Sequence, residues 1–297
     1  MSAFSPVVLE ALSSAGLDPA DVERVVRTAL AEDLRLGPDV TTEATVPAGR
    51  SATGEVVARA AGVLAGVPVA LAVLDLAAGR DLVADVVRGD GERVGPGQAV
   101  LSIRGQLRAM LTAERTLLNV LTHLSGIATA TRTWVDEVAG TSAVIRDTRK
   151  TLPGLRQLQK YAVRCGGGAN HRMGLGDAAL VKDNHVLAAG GIAAAVRAVR
   201  LHAPATPLEV ECDTLDQVRE AVAAGVELLL LDNMTPEQMC HAVALARTTA
   251  GIRTEASGGL ALDQASTVAR TGVDFLAVGA LTHSAAVLDL GLDLPPA

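Results

Sequence analysis

The pattern of apolar and polar positions changes near the middle of the chain. Apolar residues first recur at helical spacing, and residues 51–105 then read as short strands separated by glycine turns, with one helix between them. Beyond residue 126, short continuous apolar runs alternate with alanine-rich segments of helical period. Strands that are apolar at successive positions are typical of a parallel sheet covered by helices. We therefore expect an α/β protein with a strand-rich N-terminal part and a parallel sheet in its C-terminal part.

Turn and capping residues place the elements of the N-terminal part. Asp18-Pro19 is typical of a helix start, because aspartate caps a helix and proline suits its first position. A long helix with a leucine stripe is expected to end before Ser125-Gly126. The predicted elements are helices from Asp18-Pro19 to Gly37-Pro38, at 67–76 and at 106–124, a turn that opens at Asp39, and a strand at 54–59.

Six strand-and-helix units are predicted in the C-terminal part. The strands are expected at 143–146, 178–182, 208–211, 228–232, 252–256 and 275–278. The helices between them are expected at 191–201, 215–224, 236–248 and 263–271. Such units form an α/β barrel when the sheet curls, and six of them are fewer than the usual eight. The pattern therefore predicts an incomplete, open barrel of about six strands.

Composition narrows the classes of function. The 297 residues carry a net charge of −7 and only four aromatic side chains, which argues against nucleic-acid binding by phosphate contacts or base stacking. The three cysteines lack metal-ligand spacing and fit reduced thiols. Neither a signal peptide nor a membrane helix of roughly 20 apolar residues is indicated. We expect a cytoplasmic protein with no membrane partner.

Basic residues crowd into the stretch 145–185 of this acidic chain. Several of them stand beside glycines or directly after apolar runs, where ligand-facing groups are usually found. The stretch contains Arg146, Arg149, Lys150, Arg156, Lys160, Arg164, His171, Arg172, Lys182 and His185. We interpret it as part of a pocket for a small ligand with several negative charges. The three cations from 156 to 164 are either all ordinary helix-face charges, or one of them leans into this pocket.

Polar residues follow nearly every predicted strand of the C-terminal part. They are Arg149 and Lys150, Lys182, Glu211, Asp232, Ser257 and Gly279. The carboxyl ends of the strands form the active face of an α/β barrel, so these residues are expected to meet at one mouth. The carboxylates there serve either as ion-pair partners of the cations or as ligands of a bound Mg²⁺ and sugar hydroxyls. We favour Mg²⁺.

Small residues stand at the last two strand ends. Ser257-Gly258-Gly259 and Val278-Gly279-Ala280 would let backbone N–H groups approach an anion closely. Barrels commonly hold a phosphate at this place, so the pair predicts a phosphate site. His283 would add a donor there, or it is an ordinary surface histidine.

Three further parts of the chain allow other interpretations: a nucleotide-binding loop, a Schiff-base lysine and a charged pair on an apolar helix face. Cys165 and the glycines after it do not form a P-loop, because no Gly-Lys-Ser/Thr follows. Lys182 would serve as a Schiff-base lysine in a barrel aldolase, although such an enzyme has little use for so many further cations. Glu114 and Arg115 lie on or beside an apolar helix stripe, where they either form an ion pair or reach a site through an interface.

Long motifs along the chain resemble the quinolinate phosphoribosyltransferase family. They include Arg-Asp-Thr-Arg-Lys-Thr-Leu-Pro-Gly from residue 146, Gly-Gly-Gly-Ala-Asn-His-Arg-Met-Gly-Leu from 166 and Val-Lys-Asp-Asn-His from 181. Glu-Val-Glu from 209, Leu-Asp-Asn-Met from 231, Glu-Ala-Ser-Gly-Gly from 255 and Leu-Ala-Val-Gly-Ala-Leu-Thr-His-Ser from 276 follow in the family's order. The likeness extends to Ala-Glu-Arg-Thr-Leu-Leu-Asn from 113 and covers nearly the whole chain.

The resemblance implies an architecture. It implies an N-terminal α/β sandwich domain at 1–124, joined by the C-terminal residues 286–297, and an incomplete α/β barrel domain with the phosphoribosyl-transfer site at 125–285. It also implies a homodimer with shared active sites, in which Arg115 enters the site of the other subunit. Assembly beyond the dimer is left open.

The resemblance also implies roles for the site residues. Arg149, His171, Arg172 and Lys182 would contact the two carboxylates of quinolinate, and Lys150, Glu211 and Asp232 would serve phosphoribosyl diphosphate. Arg115 would be a further substrate-binding residue, in the site of the other subunit. The resemblance assigns catalysis to Lys150, Glu211 and Asp232, with Mg²⁺ as a cofactor held by the carboxylates of Glu211 and Asp232. The other substrate-binding residues would be Thr148, Ser257, Gly258, Gly259, Val278, Gly279, Ala280 and His283. The implied reaction is decarboxylating phosphoribosyl transfer that yields nicotinate mononucleotide, a step towards NAD.

Overall fold

The computed structural model describes residues 3–78 and 81–294, and the chain begins with three helices. They are α1 (Pro6–Ser14), α2 (Pro19–Leu34) and α3 (Val40–Thr45). The Asp18 carboxylate accepts the N–H of Ala20 at 3.0 Å, which confirms the predicted helix start. The predicted turn at Asp39 is wrong, because the Asp39 carboxylate accepts the N–H of Thr42 at 3.0 Å and so caps α3.

A four-stranded antiparallel sheet follows, and the last described strand of the chain completes it. The elements are β1 (Ser51–Ala58), β2 (Gly62–Val63), α4 (Val67–Ala78), β3 (Leu82–Val86), β4 (Arg93–Val94), β5 (Ala99–Gln106) and β12 (Leu290–Asp293). Strand β1 pairs with β5 on one side and with β12 on the other, in the order β12-β1-β5-β3. The C-terminal residues therefore fold back onto the N-terminal sheet.

The long helix α5 (Leu107–Glu137) runs well beyond its predicted end. Ser125 lies inside the helix, where its hydroxyl accepts the N–H of Ala65 at 3.0 Å. The backbone at Ala286 packs closely against Gly126. A Cβ placed on Gly126 would come within 2.1 Å of the Ala286 oxygen. Ser125-Gly126 is thus a site of close packing inside a helix, and interpreting it as a helix end was wrong.

A six-stranded parallel sheet forms the core of the C-terminal part, as predicted. Its strands are β6 (Val144–Arg146), β7 (Ala179–Val181), β8 (Leu208–Cys212), β9 (Leu228–Asp232), β10 (Arg253–Ser257) and β11 (Phe275–Ala277). They pair in the order β6-β11-β10-β9-β8-β7. Strands β6 and β7 lie at opposite edges of this order, which confirms the expected open architecture.

Helices connect these strands. They are α6 (Arg156–Cys165), α7 (Asp183–Ala189), α8 (Ile192–His202), α9 (Leu215–Ala223), α10 (Pro236–Ala246), α11 (Ala265–Ala269) and α12 (Ala280–His283), with a 3-10 helix at Leu262–Gln264. Thr214 and Thr235 cap α9 and α10, and each accepts the N–H of a glutamine three residues on at 3.3 Å. These caps satisfy backbone N–H groups in the first turn and so stabilise the starts of α9 and α10.

The described chain divides into two compact units. The first contains Met1–Arg132, Thr151–Gly167 and Leu281–Ala297, and the second contains Thr133–Lys150 and Gly168–Ala280. The division after residue 124 proposed from the sequence stays a prediction. In the described ranges, no helix combines the length and the apolar character needed to cross a membrane.

Helix α6 belongs to the first unit although it follows a strand of the second. Six consecutive residues of α6 are buried, from Leu158 to Val163, so the helix is enclosed on all sides. The hydroxyl of Tyr161 donates to the Asp90 carboxylate at 2.5 Å, and burial raises the pKa of that carboxyl group. Lys160 is fully buried, which contradicts its interpretation as a helix-face charge at the surface.

Candidate active site

The register of the parallel sheet places charged residues on one side of it. Neighbouring residues in register point the same way, and residues two apart along a strand share a side. Glu211 lies opposite Leu230, which lies opposite Glu255 on the next strand. Glu209 precedes Glu211 by two residues and Asp232 follows Leu230 by two. Four carboxylates from β8, β9 and β10 therefore lie on a common side of the sheet.

His171 binds two of these carboxylates in the protein interior. Its Nε2 lies 2.9 Å from Oε2 of Glu209 and 3.4 Å from Oε1 of Glu255. The three residues are buried, with Glu255 inaccessible to solvent. Their ligand-type atoms lie within 4.8 Å of one another, so this set could hold a metal ion as far as distance is concerned. It differs from the predicted metal residues Glu211 and Asp232.

Arg146 completes the charge balance of this buried group. Its Nη1 lies 2.6 Å from Oε2 of Glu255, and its guanidinium stacks 4.5 Å from the centre of the Phe275 ring. A carboxylate that already faces a guanidinium is less available to a cation. We therefore describe Arg146, His171, Glu209 and Glu255 as the buried cluster, in which two acidic and two basic groups face each other.

The loop before His171 is tied to the end of β6. The Asp147 carboxylate is fully buried, and it accepts the backbone N–H of His171 at 2.9 Å and the side-chain amide of Asn170 at 2.5 Å. The N–H of Arg172 donates to Nδ1 of the His171 ring at 2.6 Å. Both nitrogens of the ring are therefore engaged, and the ring orientation is set by contacts on opposite edges.

The surroundings of His171 act on its pKa in opposite directions. Burial lowers the pKa of His171, but the hydrogen bonds and negative charges of Glu209 and Glu255 outweigh burial and raise it to about 9. Burial and the neighbouring Glu255 raise the pKa of Glu209, against the effect of His171. The two carboxylates therefore favour a second proton on the imidazole, whereas the N–H of Arg172, which donates to Nδ1, opposes it.

Lys182 and Glu211 form an ion pair after strands β7 and β8. The Lys182 ammonium lies 2.5 Å from Oε2 of Glu211, with the lysine about half exposed and the glutamate mostly covered. The sequence left two roles open for the carboxylates of Glu211 and Asp232, ion pairing or Mg²⁺ binding. For Glu211 the structure shows an ion pair. A Schiff-base lysine needs a nitrogen available to attack a carbonyl, whereas Nζ of Lys182 is engaged by Glu211. The other carboxylate, Asp232, accepts the side-chain amide of Asn233 at 2.6 Å.

Two guanidinium groups lie close together beside the buried cluster. Burial lowers the pKa of Arg172, and the positive charge of Arg149 lowers it further. Nη1 of Arg172 donates to the Ala178 oxygen at 2.9 Å, while the buried Nε of Arg149 has no hydrogen-bond acceptor among the described residues. The hydroxyl of Thr148 accepts the N–H of the exposed Lys150 at 3.0 Å, which shapes the turn after β6. Two like charges in partial burial are a favourable place for an anion.

The predicted phosphate residues adopt a tight turn. Gly258 has a φ of +87°, and a Cβ on it would come within 2.3 Å of the Asn233 side-chain oxygen. Gly259 also has a positive φ of +58°, with open space around it. The N–H of Val278 donates to the Arg146 oxygen at 2.9 Å, and Gly279 leads into α12. The structure therefore explains why glycine stands at position 258, where a side chain has no room.

Arg115 and His283 belong to the first unit, whereas the other predicted site residues belong to the second. Arg115 is exposed on α5 and lines a cavity of about 460 Å³ together with residues from Val287 to Leu290. His283 is exposed, and its Nδ1 lies 2.6 Å from the Ser284 hydroxyl. The contribution of either residue to the site stays a prediction.

A cavity of about 390 Å³ lies at the amino-terminal ends of the strands. It is bounded by residues at the start of three strands, Leu208, Leu228 and Arg253, and by three members of the buried cluster, Arg146, His171 and Glu209. Arg172 and Asp177 also line it. It does not include Lys182, Glu211 or Asp232, so it is distinct from the predicted mouth at the carboxyl ends.

Sequence reasoning gave no role of their own to Glu209, Glu255, Arg146 or Asp147. All four are members of the family-like motifs, and Arg146 was also counted among the cations. A signal was present, because a glutamate inside an apolar strand is seldom buried without a partner. The partners themselves come from other strands, and their identity requires the strand order.

Comparisons with known proteins agree over most of the chain. Residues 39–125 match the family model for the N-terminal domain of quinolinate phosphoribosyl transferase, and residues 127–293 match the model for its C-terminal domain. The nicotinate-nucleotide pyrophosphorylase (carboxylating) of Mycobacterium leprae (strain TN) is 57% identical over 91% of this chain and 95% of that protein. The human protein of the same name is 41% identical over 69% of this chain and 70% of that protein.

Solved structures show the same architecture. The nicotinate-nucleotide pyrophosphorylase from Francisella tularensis superposes with a TM-score of 0.88 and 38% identity, covering 93% of this chain and 96% of that chain. The protein of this name from Ehrlichia chaffeensis has a TM-score of 0.87 and 34% identity, covering 92% and 98%. Together with the two family models, these similarities show that this chain belongs to the quinolinate phosphoribosyl transferase family.

Proposed function

We propose that this protein transfers the phosphoribosyl group of 5-phosphoribosyl 1-diphosphate to the ring nitrogen of quinolinate. The ribosylated intermediate loses CO₂, so the products are nicotinate mononucleotide, diphosphate and CO₂, a step of NAD biosynthesis. One observation carries this proposal beyond family membership. The guanidinium groups of Arg149 and Arg172 lie beside the loop that carries His171, and the buried Nε of Arg149 has no hydrogen-bond acceptor among the described residues. A rigid dicarboxylate such as quinolinate matches this arrangement.

Quinolinate would occupy the side of the site with these cations. Arginine is suited to bind a carboxylate through two parallel hydrogen bonds, and the Nε of Arg149 is free to take part. His171 and Arg172 lie on a loop that Asp147 fixes to the sheet. Lys182 supplies a further positive charge after β7. The four groups come from the ends of two strands and one loop.

Phosphoribosyl diphosphate would occupy the other strand ends. Lys150 follows β6, Glu211 and Asp232 lie at the ends of β8 and β9, and the turn at Gly258 offers backbone N–H groups to the 5-phosphate. The remaining members of this phosphate site would be Ser257, Gly259, Val278, Gly279, Ala280 and His283, with Thr148 beside Lys150. With both substrates bound in this way, the anomeric carbon would lie between the cationic pocket and the two carboxylates.

Mg²⁺ fits this donor set. Glu211 and Asp232 lie on the same side of adjacent strands, and carboxylate oxygens are ligands that Mg²⁺ prefers, together with the oxygens of a diphosphate. Glu211 is shared with Lys182, so the ammonium would have to move or share the carboxylate. When bound, the ion neutralises charge on the leaving diphosphate.

The residues of the chain promote the reaction mainly by position and charge. The cations orient the pyridine nitrogen towards the anomeric carbon and stabilise the departing diphosphate, while Glu211 and Asp232 face the positive charge that develops on the ribose. No side chain needs to form a covalent bond with the sugar. Once ribosylated, the positive ring nitrogen stabilises the electron pair that the departing CO₂ leaves on the adjacent ring carbon, and a proton from water is then added to that carbon.

We further propose a homodimer in which Arg115 reaches the site of the other subunit. The exposure of Arg115 on α5 and its place in a separate compact unit support this assignment. Mixing inactive Arg115→Ala subunits with inactive Lys182→Ala subunits should restore part of the activity, because some mixed dimers then contain one intact site. Mixtures that stay inactive after exchange of subunits would refute a shared site.

One assay tests the proposed reaction. The protein is incubated with quinolinate, phosphoribosyl diphosphate and Mg²⁺, and nicotinate mononucleotide and CO₂ are measured. Nicotinic acid serves as the matched control substrate, since it lacks the carboxylate that leaves. Formation of both products from quinolinate, with little reaction of nicotinic acid, is expected. Absence of product, or equal rates with both acids, would refute the assignment.

A further inference from the structure

Asn233 has an unusual backbone conformation directly after β9. Its φ is +52°, and in the described ranges 3–78 and 81–294 it is the one residue other than glycine with a positive φ. Asparagine tolerates this left-handed conformation better than most residues, and glycine tolerates it best. The Asn233 side chain is exposed, so packing in the core does not explain the asparagine. Its contacts with neighbouring groups have to explain it.

We infer that Asn233 is a positioning residue, which holds the carboxylate of Asp232 and the turn at Gly258 in one fixed relation to each other. Asp232 would then meet the ribose while the turn binds the 5-phosphate of the same molecule. This inference rests on the proposed function for the identity of that molecule. The contacts of Asn233 stand apart from that function, and a separate measurement tests them.

The side chain of Asn233 holds one oxygen of Asp232. Nδ2 of Asn233 donates to Oδ2 of Asp232 at 2.6 Å. Asp232 is the last residue of β9 and is only partly exposed, so its backbone is fixed by the sheet while its carboxylate reaches the mouth. The hydrogen bond restricts rotation of the carboxylate, and it leaves Oδ1 for a ribose hydroxyl or a cation.

Asn233 also contacts the neighbouring strand end, where the predicted phosphate turn begins. Asp232 lies opposite Ser257 in the parallel register, and the backbone N–H of Asn233 donates to the Ser257 oxygen at 3.1 Å. A Cβ on Gly258 would come within 2.3 Å of Oδ1 and 2.7 Å of Cγ of Asn233. The amide therefore occupies the space beside Gly258, and the turn cannot shift towards β9 while the amide is there.

The two contacts link groups that have to act on one ligand. The ribose and the 5-phosphate of phosphoribosyl diphosphate are covalently joined, so the carboxylate and the turn must keep a matching separation. A misplacement of about 1 Å in such a site can cost on the order of 100-fold in rate. Asn233 would therefore contribute through the positions of Asp232 and Gly258, without a contact of its own to the ligand.

A turn former would be the competing role for Asn233. Glycine and asparagine are the residues that most often adopt a left-handed conformation where an element ends. If only the backbone conformation mattered, Asn233→Gly would be neutral, because glycine adopts a positive φ without a steric penalty. If the side-chain amide matters, the same variant loses both the bond to Asp232 and the contact with Gly258. The two roles therefore predict different results for one substitution.

The functional test compares the KM values of Asn233→Gly for the two substrates. We expect the KM for phosphoribosyl diphosphate to rise about tenfold and the KM for quinolinate to stay nearly unchanged, because only the sugar phosphate meets the displaced groups. Thr249→Gly is the control, since Thr249 is exposed in the turn between α10 and β10, and it should change neither value. Wild-type KM values in Asn233→Gly, or an equal rise for both substrates, would overturn the inference.

The structural test needs no activity and measures the Tm of Gly258→Ala in two backgrounds. The positive φ of Gly258 strains an alanine in both, but the clash with the Asn233 amide exists only where Asn233 is present. We therefore expect Gly258→Ala to lower the Tm more in the wild type than in Asn233→Gly. Equal losses in the two backgrounds would overturn the inference. If the wild type makes no nicotinate mononucleotide, the proposed function fails, and the Tm comparison still decides whether the amide holds the turn.

Discussion

The ammonium of Lys182 lies 2.5 Å from Oε2 of Glu211, so a residue assigned to quinolinate is paired with a residue assigned to the sugar diphosphate. Because each group compensates the charge of the other, a change at one should alter binding of both substrates. We expect Lys182→Gln and Glu211→Gln to have effects on kcat/KM that do not add, with a coupling of about 0.5–3 kcal/mol in the double variant. Steady-state kinetics of the four proteins measure this coupling. Strictly additive effects would show that the pair has no energetic role.

Arg149→Ala should weaken quinolinate far more than phosphoribosyl diphosphate. A charged hydrogen-bond donor that is removed from a carboxylate costs about 1.5–3 kcal/mol, which corresponds to a rise of roughly tenfold to 100-fold in KM. The exposed Arg197→Ala on α8 is the matched control and should leave both KM values unchanged. Equal losses for the two substrates would contradict our division of the site.

Stability should fall as the pH rises through the titration range of His171. The pKa of about 9 in the folded protein lies above the usual value of 6.5, so the folded state binds the proton more tightly. This contribution is complete below about pH 6.5 and is lost as the pH approaches 9, with a size of up to about 3 kcal/mol. Urea unfolding from pH 6 to 9.5 measures it. His171→Asn should lose this part of the slope, whereas a change of the exposed His283 to Asn should retain it.

Gly126→Ala should destabilise the protein although alanine is the better helix former. A Cβ at this position would come within 2.1 Å of the Ala286 oxygen, and overpacking of this kind costs about 1–3 kcal/mol. Gly95→Ala is the control, because nothing lies within 4 Å of a Cβ placed there. Thermal unfolding should show a lower Tm for the first variant alone. A Tm for Gly126→Ala equal to that of the wild type would mean that the crossing segment moves aside at little cost.

The architecture of the C-terminal part could be predicted from local patterns. Each of the six strands was expected within one or two residues of its position, because a strand buried on both faces leaves a continuous apolar run. The interpretation of Ser125-Gly126 as a helix end was wrong, because it also relied on a local pattern alone. Serine and glycine are common at helix ends, and only the contacts with Ala65 and Ala286 explain why they lie within α5.

The site residues also divide into those whose position local patterns predict and those whose role depends on tertiary contacts. Lys182, Glu211 and Asp232 could be expected at one end of the sheet, because they directly follow or close apolar runs and parallel strands share a direction. The role of Glu209 could not be predicted, because its partner His171 comes from a loop 38 positions earlier in the chain. That encounter depends on which strands are neighbours and on their register.

The sequence by itself determined the family, the class of fold and the residue types at the strand ends, since these follow from local periodicity and from motifs that are continuous in the chain. Only the tertiary structure decided which charges pair. It joined Lys182 to Glu211 rather than leaving the carboxylate to a metal alone, and it placed His171 against Glu209 and Glu255. The physical reason is that an ion pair depends on the distance between two side chains in space. That distance is set by strand order, by register and by the burial that makes an unpaired charge costly.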